Sequence, residues 1–119
     1  MLDVLLVEAN PTDAALAGIA IALRKPRARV SEARTLTDAL PILCNGNAPR
    51  LAIFGFEALK QTPGKLQGSC SIVIGFAPQL SAAERQCALD AGVRAIYERP
   101  VEWRAFCDAL ERMLNDWLR

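Results

Sequence analysis

The chain has no histidine in its 119 residues. That rules out a Ser-His or Cys-His nucleophile pair and removes the commonest protein metal ligand. Its cysteines, Cys44, Cys70, Cys87 and Cys107, are scattered without C-x-x-C spacing, so a zinc site is not expected and no metal is assigned. Reduced, mostly buried thiols are the expectation. There is no G-x-x-x-x-G-K-[ST] phosphate loop. No apolar run approaches the roughly 18 to 20 residues that span a bilayer, and acidic Asp3 stands where a signal peptide would be basic. A soluble cytoplasmic protein without membrane contact follows as an expectation.

Charge of either sign is also scarce in excess: the net value is +1, which gives no reason to expect nucleic acid or an acidic substrate. The basic cluster Arg24, Lys25, Arg27, Arg29 is broken by Pro26 and lacks interleaved aromatics for base stacking. It reads as a solvated loop. What is present, 52% hydrophobic and 23% charged residues, is an ordinary globular balance for one domain spanning residues 1–119.

Leu2 to Val7 (LDVLLV) is a nearly continuous apolar run, the pattern of a strand buried on both faces of a parallel sheet. Asn10 can cap the following helix, Pro11 suits its first position, and Asp13 sits where a capping-box acid would reach back. Leu16, Ile19, Ala20 and Leu23 then recur at helical spacing, and Lys25-Pro26 ends the helix. Ala28 to Ala33 alternates as a strand does. Thr35 or Thr37 could cap a second helix to Cys44, shortened or kinked by Pro41. Arg50 to Gly55 and Ser71 to Phe76 are two more apolar strands, and Glu57 to Ser69 between them, with Pro63, Gly64 and Gly68, holds one or two helical turns at most. Ser81 caps a helix over Ala82 to Ala91 that stops at Gly92, Ala95 to Glu98 is a short strand, and Glu102 to Leu118 is strongly amphipathic. Such alternation gives a flavodoxin-like α/β fold: a five-stranded parallel sheet in the order 2-1-3-4-5 with helices on both faces. Ligand sites in such sheets lie beyond the carboxyl ends of the central strands.

Two segments at those ends carry a resemblance. Val4-Leu5-Leu6-Val7-Glu8-Ala9-Asn10-Pro11 resembles the opening of bacterial response regulator receiver (CheY-like) domains, and Ala91 to Val101 (AGVRAIYERPV) resembles their Ala-Gly, aromatic, Lys-Pro segment. The resemblance implies a magnesium-assisted phosphoryl transfer to an aspartate after the third strand. It also implies an acidic pair after the first strand, a hydroxyl after the fourth and a lysine after the fifth. Here the acidic pair falls on Glu8 and Ala9, the acceptor on Gly55 (Phe54 or Phe56 if the register slips), the hydroxyl on Ala77 or Phe76, and the lysine on Arg99. None of the candidates for acceptor or hydroxyl position carries a suitable oxygen. The family's switch aromatic falls on Ile96, with Tyr97 on the opposite side of the strand. The stretch between the third and fourth strands is shorter than the family pattern, which implies a shortened or absent third helix.

These departures imply a degenerate pseudo-receiver, without catalytic residues or cofactor, that acts in a two-component-type pathway by binding a signalling protein or output domain, or as a homodimer. By resemblance, its contact face would be the fourth helix, fifth strand and fifth helix, drawing on Arg85, Arg94, Tyr97, Trp103 and Cys107. Arg99 is expected to pair with Glu8. The alternative is an anion or small-ligand sensor in the emptied corner beside Gly55, with Arg99 as its cationic end. Phe54, Phe56 and Phe76 are expected in the core, an exposed groove being the alternative, and a Glu8–Glu57 carboxylate pair is the weakest candidate for catalysis.

Overall fold

The computed structural model describes residues 2–61, 66, 69 and 71–118. Pro63, Gly64, Gly68 and Cys70 lie outside them. The elements run β1 (Leu2–Val7), α1 (Pro11–Arg24), β2 (Ala28–Ala33), α2 (Leu36–Leu43), β3 (Leu51–Phe54), α3 (Phe56–Lys60), β4 (Ile72–Ala77), α4 (Ala82–Asp90), β5 (Ala95–Glu98) and α5 (Trp103–Trp117). The strands form one parallel sheet in the order β2-β1-β3-β4-β5, the flavodoxin-like arrangement expected from the sequence. The third helix is indeed short, five residues.

Because successive side chains leave a strand on opposite faces, the sheet divides the core in two. Val4, Leu6, Ile53, Ile74 and Phe76 pack with α1 and α5, while Leu5, Val7, Ala52, Phe54 and Val73 pack with α2, α3 and α4. Phe54 and Phe76 are therefore core residues, as expected, with Phe56 partly buried against the cluster that holds Phe54. Leu110 and Met113 of α5 are fully buried. Truncating either to alanine would cost about 2–5 kcal/mol.

Local signals in the chain set the helix boundaries. The Asn10 side chain accepts the amides of Thr12 and Asp13, Thr35 accepts that of Asp38, and Ser81 with Glu84 forms a reciprocal capping box. Gly92, with φ at 112°, takes the left-handed conformation that stops α4. Pro41 is the sixth of eight residues in α2, and the helix runs only two residues past it.

Three expectations are corrected. First, α1 turns its small residues inward. Ala14, Ala17, Ala20 and Ile21 are buried, whereas Leu16, Ile19 and Leu23 are 38%, 52% and 65% exposed. Second, Cys44 and Cys87 are exposed and only Cys107 of the described cysteines is buried. Third, Arg24 is no solvated loop residue: its guanidinium bridges Asp108 at 2.7 Å and Glu111 at 2.8 Å on α5.

Candidate functional site

Sheet pairing continues one residue beyond the strand ends and lines up the candidate residues. The Glu8 amide donates to Ala33 O at 3.0 Å, the Gly55 amide to Val7 O at 2.9 Å, and the Arg99 amide to Ala77 O at 2.7 Å. Glu8, Gly55 and Arg99 thus meet at the carboxyl edge of β1, β3 and β5. Asp13 joins them from the first turn of α1.

Glu8 is buried, 8% exposed. Its carboxylate accepts the Asn10 amide at 3.4 Å and lies 3.7 Å from the Arg99 guanidinium, which in turn lies 3.1 Å from Asp13. The expected Glu8–Arg99 pair is present, extended by a second acid. Burial pushes the Glu8 carboxyl above its ordinary value, the Asn10 amide opposes this, the negative charge of Asp13 adds to it, and Arg99 opposes it again.

The corner beside Gly55 is filled. A β-carbon placed at residue 55 would come within 2.6 Å of Glu8 Oε1 and 2.7 Å of Oε2. The Gly55 backbone, φ −75° and ψ −178°, is open to any residue, so glycine serves space here and not conformation. The cavity among Glu8, Asp13, Gly55, Phe76, Arg99 and Phe106 holds about 10 Å³, roughly the room of one water. The expectation of an emptied corner able to receive an anion is corrected accordingly.

A divalent ion does not fit these residues. Ala9 and Gly55 bring no side-chain oxygen, and the two carboxylates present share a guanidinium that occupies the position of a cation. Among the described residues no cluster of three acids, cysteines or histidines could hold a metal. Of the expected carboxylate pair, Glu57 is exposed with Lys60 as its ionic partner at 3.7 Å, whereas Glu8 is buried beside Arg99.

Ala9 is exposed at the rim. Ala77 is fully buried on the α2–α4 side, while Phe76 lines the corner, so neither alignment places a hydroxyl there. Ile96 and Tyr97 face opposite sides of β5, as expected.

Of the expected contact face, Arg85 and Arg94 are exposed. Trp103 is 42% exposed and stacks on Phe106 with ring centres 5.6 Å apart. Tyr97 is partly buried, donates its hydroxyl to Asp116 at 2.8 Å and accepts from Trp117 Nε1 at 3.0 Å. Burial and the Asp116 carboxylate raise its pKa. Cys107 must be removed from the face: it points into the core shared with α1 and is 2% exposed.

Asp13 is the site residue that sequence reasoning missed. Its position in the sequence suggests a capping role, but the Asn10 amide turns to Glu8 instead. Aspartate is one methylene shorter than the glutamate that usually reaches back in a capping box. That shortness, with a position five residues after Glu8 at the start of a helix, was the available signal.

No known family's sequence profile matches the chain, and no curated protein matches it. Solved structures do. A response regulator in red light signaling of R. palustris superposes with a TM-score of 0.80 at 14% identity, over 100% of this chain and 95% of that one. A phosphorylated cyanobacterial phytochrome response regulator gives 0.79 at 17% identity, over 98% and 93%. A response regulator from Hahella chejuensis gives 0.78 at 18%, over 99% and 96%. The fold of this chain is that of CheY-like receiver domains.

Proposed function

We propose that the chain is a receiver-type signalling domain that takes no phosphoryl group and works by binding protein. The observation that carries this reading is the Glu8 carboxylate lodged where an acceptor side chain at position 55 would stand, beside an Arg99 guanidinium that also pairs with Asp13. Phosphoryl transfer needs an acceptor oxygen and a cation to meet the developing negative charge. Here Gly55 supplies no acceptor, and the guanidinium of Arg99 already faces both acids.

The fold likeness supports a place in a two-component-type pathway, where such domains signal without catalysis of their own. No helix among the described residues is long and apolar enough to cross a membrane; a cytoplasmic location, with a protein partner and without nucleic acid, is part of the same proposal. On the α4-β5-α5 side, Arg85, Arg94 and Trp103 remain available for contact. The ligand-sensor alternative is disfavoured by a corner of about 10 Å³.

Incubation with acetyl phosphate and magnesium, followed by intact-mass measurement, tests the reading. No stable mass gain is expected. A stable gain of one phosphoryl group would contradict it.

A further inference from the structure

Three charged groups meet at the corner, and the single cation serves the two acids unequally. The Arg99 guanidinium lies 3.1 Å from Asp13, a hydrogen-bonding distance, and 3.7 Å from Glu8, which is beyond one. The Asp13 side chain is 31% exposed against 10% for that of Glu8. Asp13 also stands in the first turn of α1, where the helix dipole favours negative charge. Glu8 has the Asn10 amide at a long 3.4 Å and a lesser contribution from the Ala9 amide. Among the described residues the other walls of the corner are Leu6, Ala17, Ile53, Gly55, Phe76 and Phe106, from β1, α1, β3 and its end, β4 and α5, and none of them is ionisable.

With both acids ionised, the corner would hold two negative charges against one positive. The excess would fall on the more deeply buried acid, in a space of about 10 Å³ that admits roughly one water. With Glu8 protonated, Asp13 and Arg99 form a neutral pair and the corner can stay closed. Burial, and then the charge of Asp13, favour the neutral carboxyl over the pull of the Asn10 amide and Arg99.

We propose that the corner is a proton-responsive switch. Closed, it keeps the proton on Glu8 and the ion pair between Arg99 and Asp13. Release of that proton to solvent leaves a carboxylate that must gain water or a cation. Arg99 is the cation that faces it, and its guanidinium is drawn from Asp13 towards Glu8 while its backbone stays tied to Ala77. The first turn of α1 loosens from the strand ends as a result. Asp13 stands at the start of α1 and Arg99 precedes α5, so the two positions of one guanidinium reach both helices. Resting on the reading that the corner takes no phosphoryl group, this gives the same place a different input, the pH around it.

An NMR titration of the full chain from about pH 3 to about pH 8 tests it. The probes are the Glu8 side-chain carboxyl carbon, the Arg99 side-chain Nε–H, and the Thr12 and Asp13 amides that Asn10 caps. The Glu8 midpoint is expected above that of an ordinary glutamate, with the Arg99 and first-turn signals changing at the same midpoint. In Glu8→Gln, which mimics the protonated form, those signals should hold steady over that interval. Asp13→Asn removes the competitor for Arg99 and should move the Glu8 midpoint to lower pH, whether or not the first variant folds. A Glu8 midpoint at or below the ordinary value, Arg99 and first-turn signals that do not follow it, or a midpoint indifferent to Asp13→Asn would each overturn the proposal. The titration uses no phosphoryl donor, so its outcome is separate from a mass gain with acetyl phosphate, which would overturn the phosphoryl reading instead.

Discussion

Helix α1 borders two regions of opposite character. Its first turn contributes Asp13 to the corner at the strand ends, where two acids and an arginine face one another with almost no space between them. Its outward face carries Leu16, Ile19 and Leu23 into solvent with nothing from the domain over them. The corner, where the fold would place chemistry, is satisfied internally. The face, where the fold demands nothing, is left incomplete. The difference separates a corner that braces the ends of β1, β3 and β5 from a helix face that the domain leaves to solvent.

The harshest way to break the corner is Gly55→Asp. Its β-carbon would drive into the Glu8 carboxylate and bring a further negative charge beside a buried one. A loss of about 3 kcal/mol or more is expected from urea denaturation. Gly75→Ala supplies an apolar counterpart on the other side of the sheet, because a β-carbon there would come within 2.9 Å of Leu59 on α3 and 3.3 Å of Ile96. Both neighbours are side chains with some freedom, so about 1–3 kcal/mol is expected in the same assay.

Glu8→Gln sharpens the electrostatic side of the comparison through pH. The folded state holds the Glu8 proton to higher pH than the unfolded chain does, so it binds more protons between the ordinary carboxylate value and the raised one. The Glu8 contribution to stability is therefore fully present below that interval and is lost as pH rises through it. Stability curves for parent and variant, taken between about pH 4 and pH 8, should diverge in the variant's favour as pH increases. Curves that stay parallel would show that Glu8 is not held in a proton-retaining environment.

The smallest effect belongs to Arg24→Ala, which removes the bridges to Asp108 and Glu111 between α1 and α5. These groups are substantially solvated, so a slight loss at low salt that fades at high salt is expected in thermal melts. A large, salt-independent loss would mean that the bridges position α1 and not merely decorate it.

Much of the fold was legible. The runs LDVLLV, LAIF and SIVIGF carry apolar residues on both faces because their strands are covered on both, and Ser81 and Gly92 mark the limits of α4 by capping chemistry. The direction of α1 was not legible. A helix with alanine, leucine and isoleucine all round gives periodicity no contrast to read, and the buried face fell to the small residues Ala14, Ala17 and Ala20. In the site, Glu8, Gly55 and Arg99 could be named because each follows a strand, whereas Asp13 could not, since its role depends on where the Asn10 amide turns. That the corner was full could not be inferred either. Loss of a side chain at position 55 implies room, and only the placement of the Glu8 carboxylate reveals what took it. Cys107 was misplaced because α5 buries residues on neighbouring faces, Phe106 and Cys107 alike.

The central claim is that Gly55 is glycine because Glu8 occupies its side-chain space. A double-mutant cycle between Gly55→Ala and Glu8→Ala, read by urea denaturation, tests this most directly. Gly55→Ala is expected to cost about 1–3 kcal/mol in the parent and close to nothing, or to stabilise slightly, in the Glu8→Ala background, where the ordinary backbone angles of residue 55 suit alanine. An equal cost in both backgrounds would contradict the account.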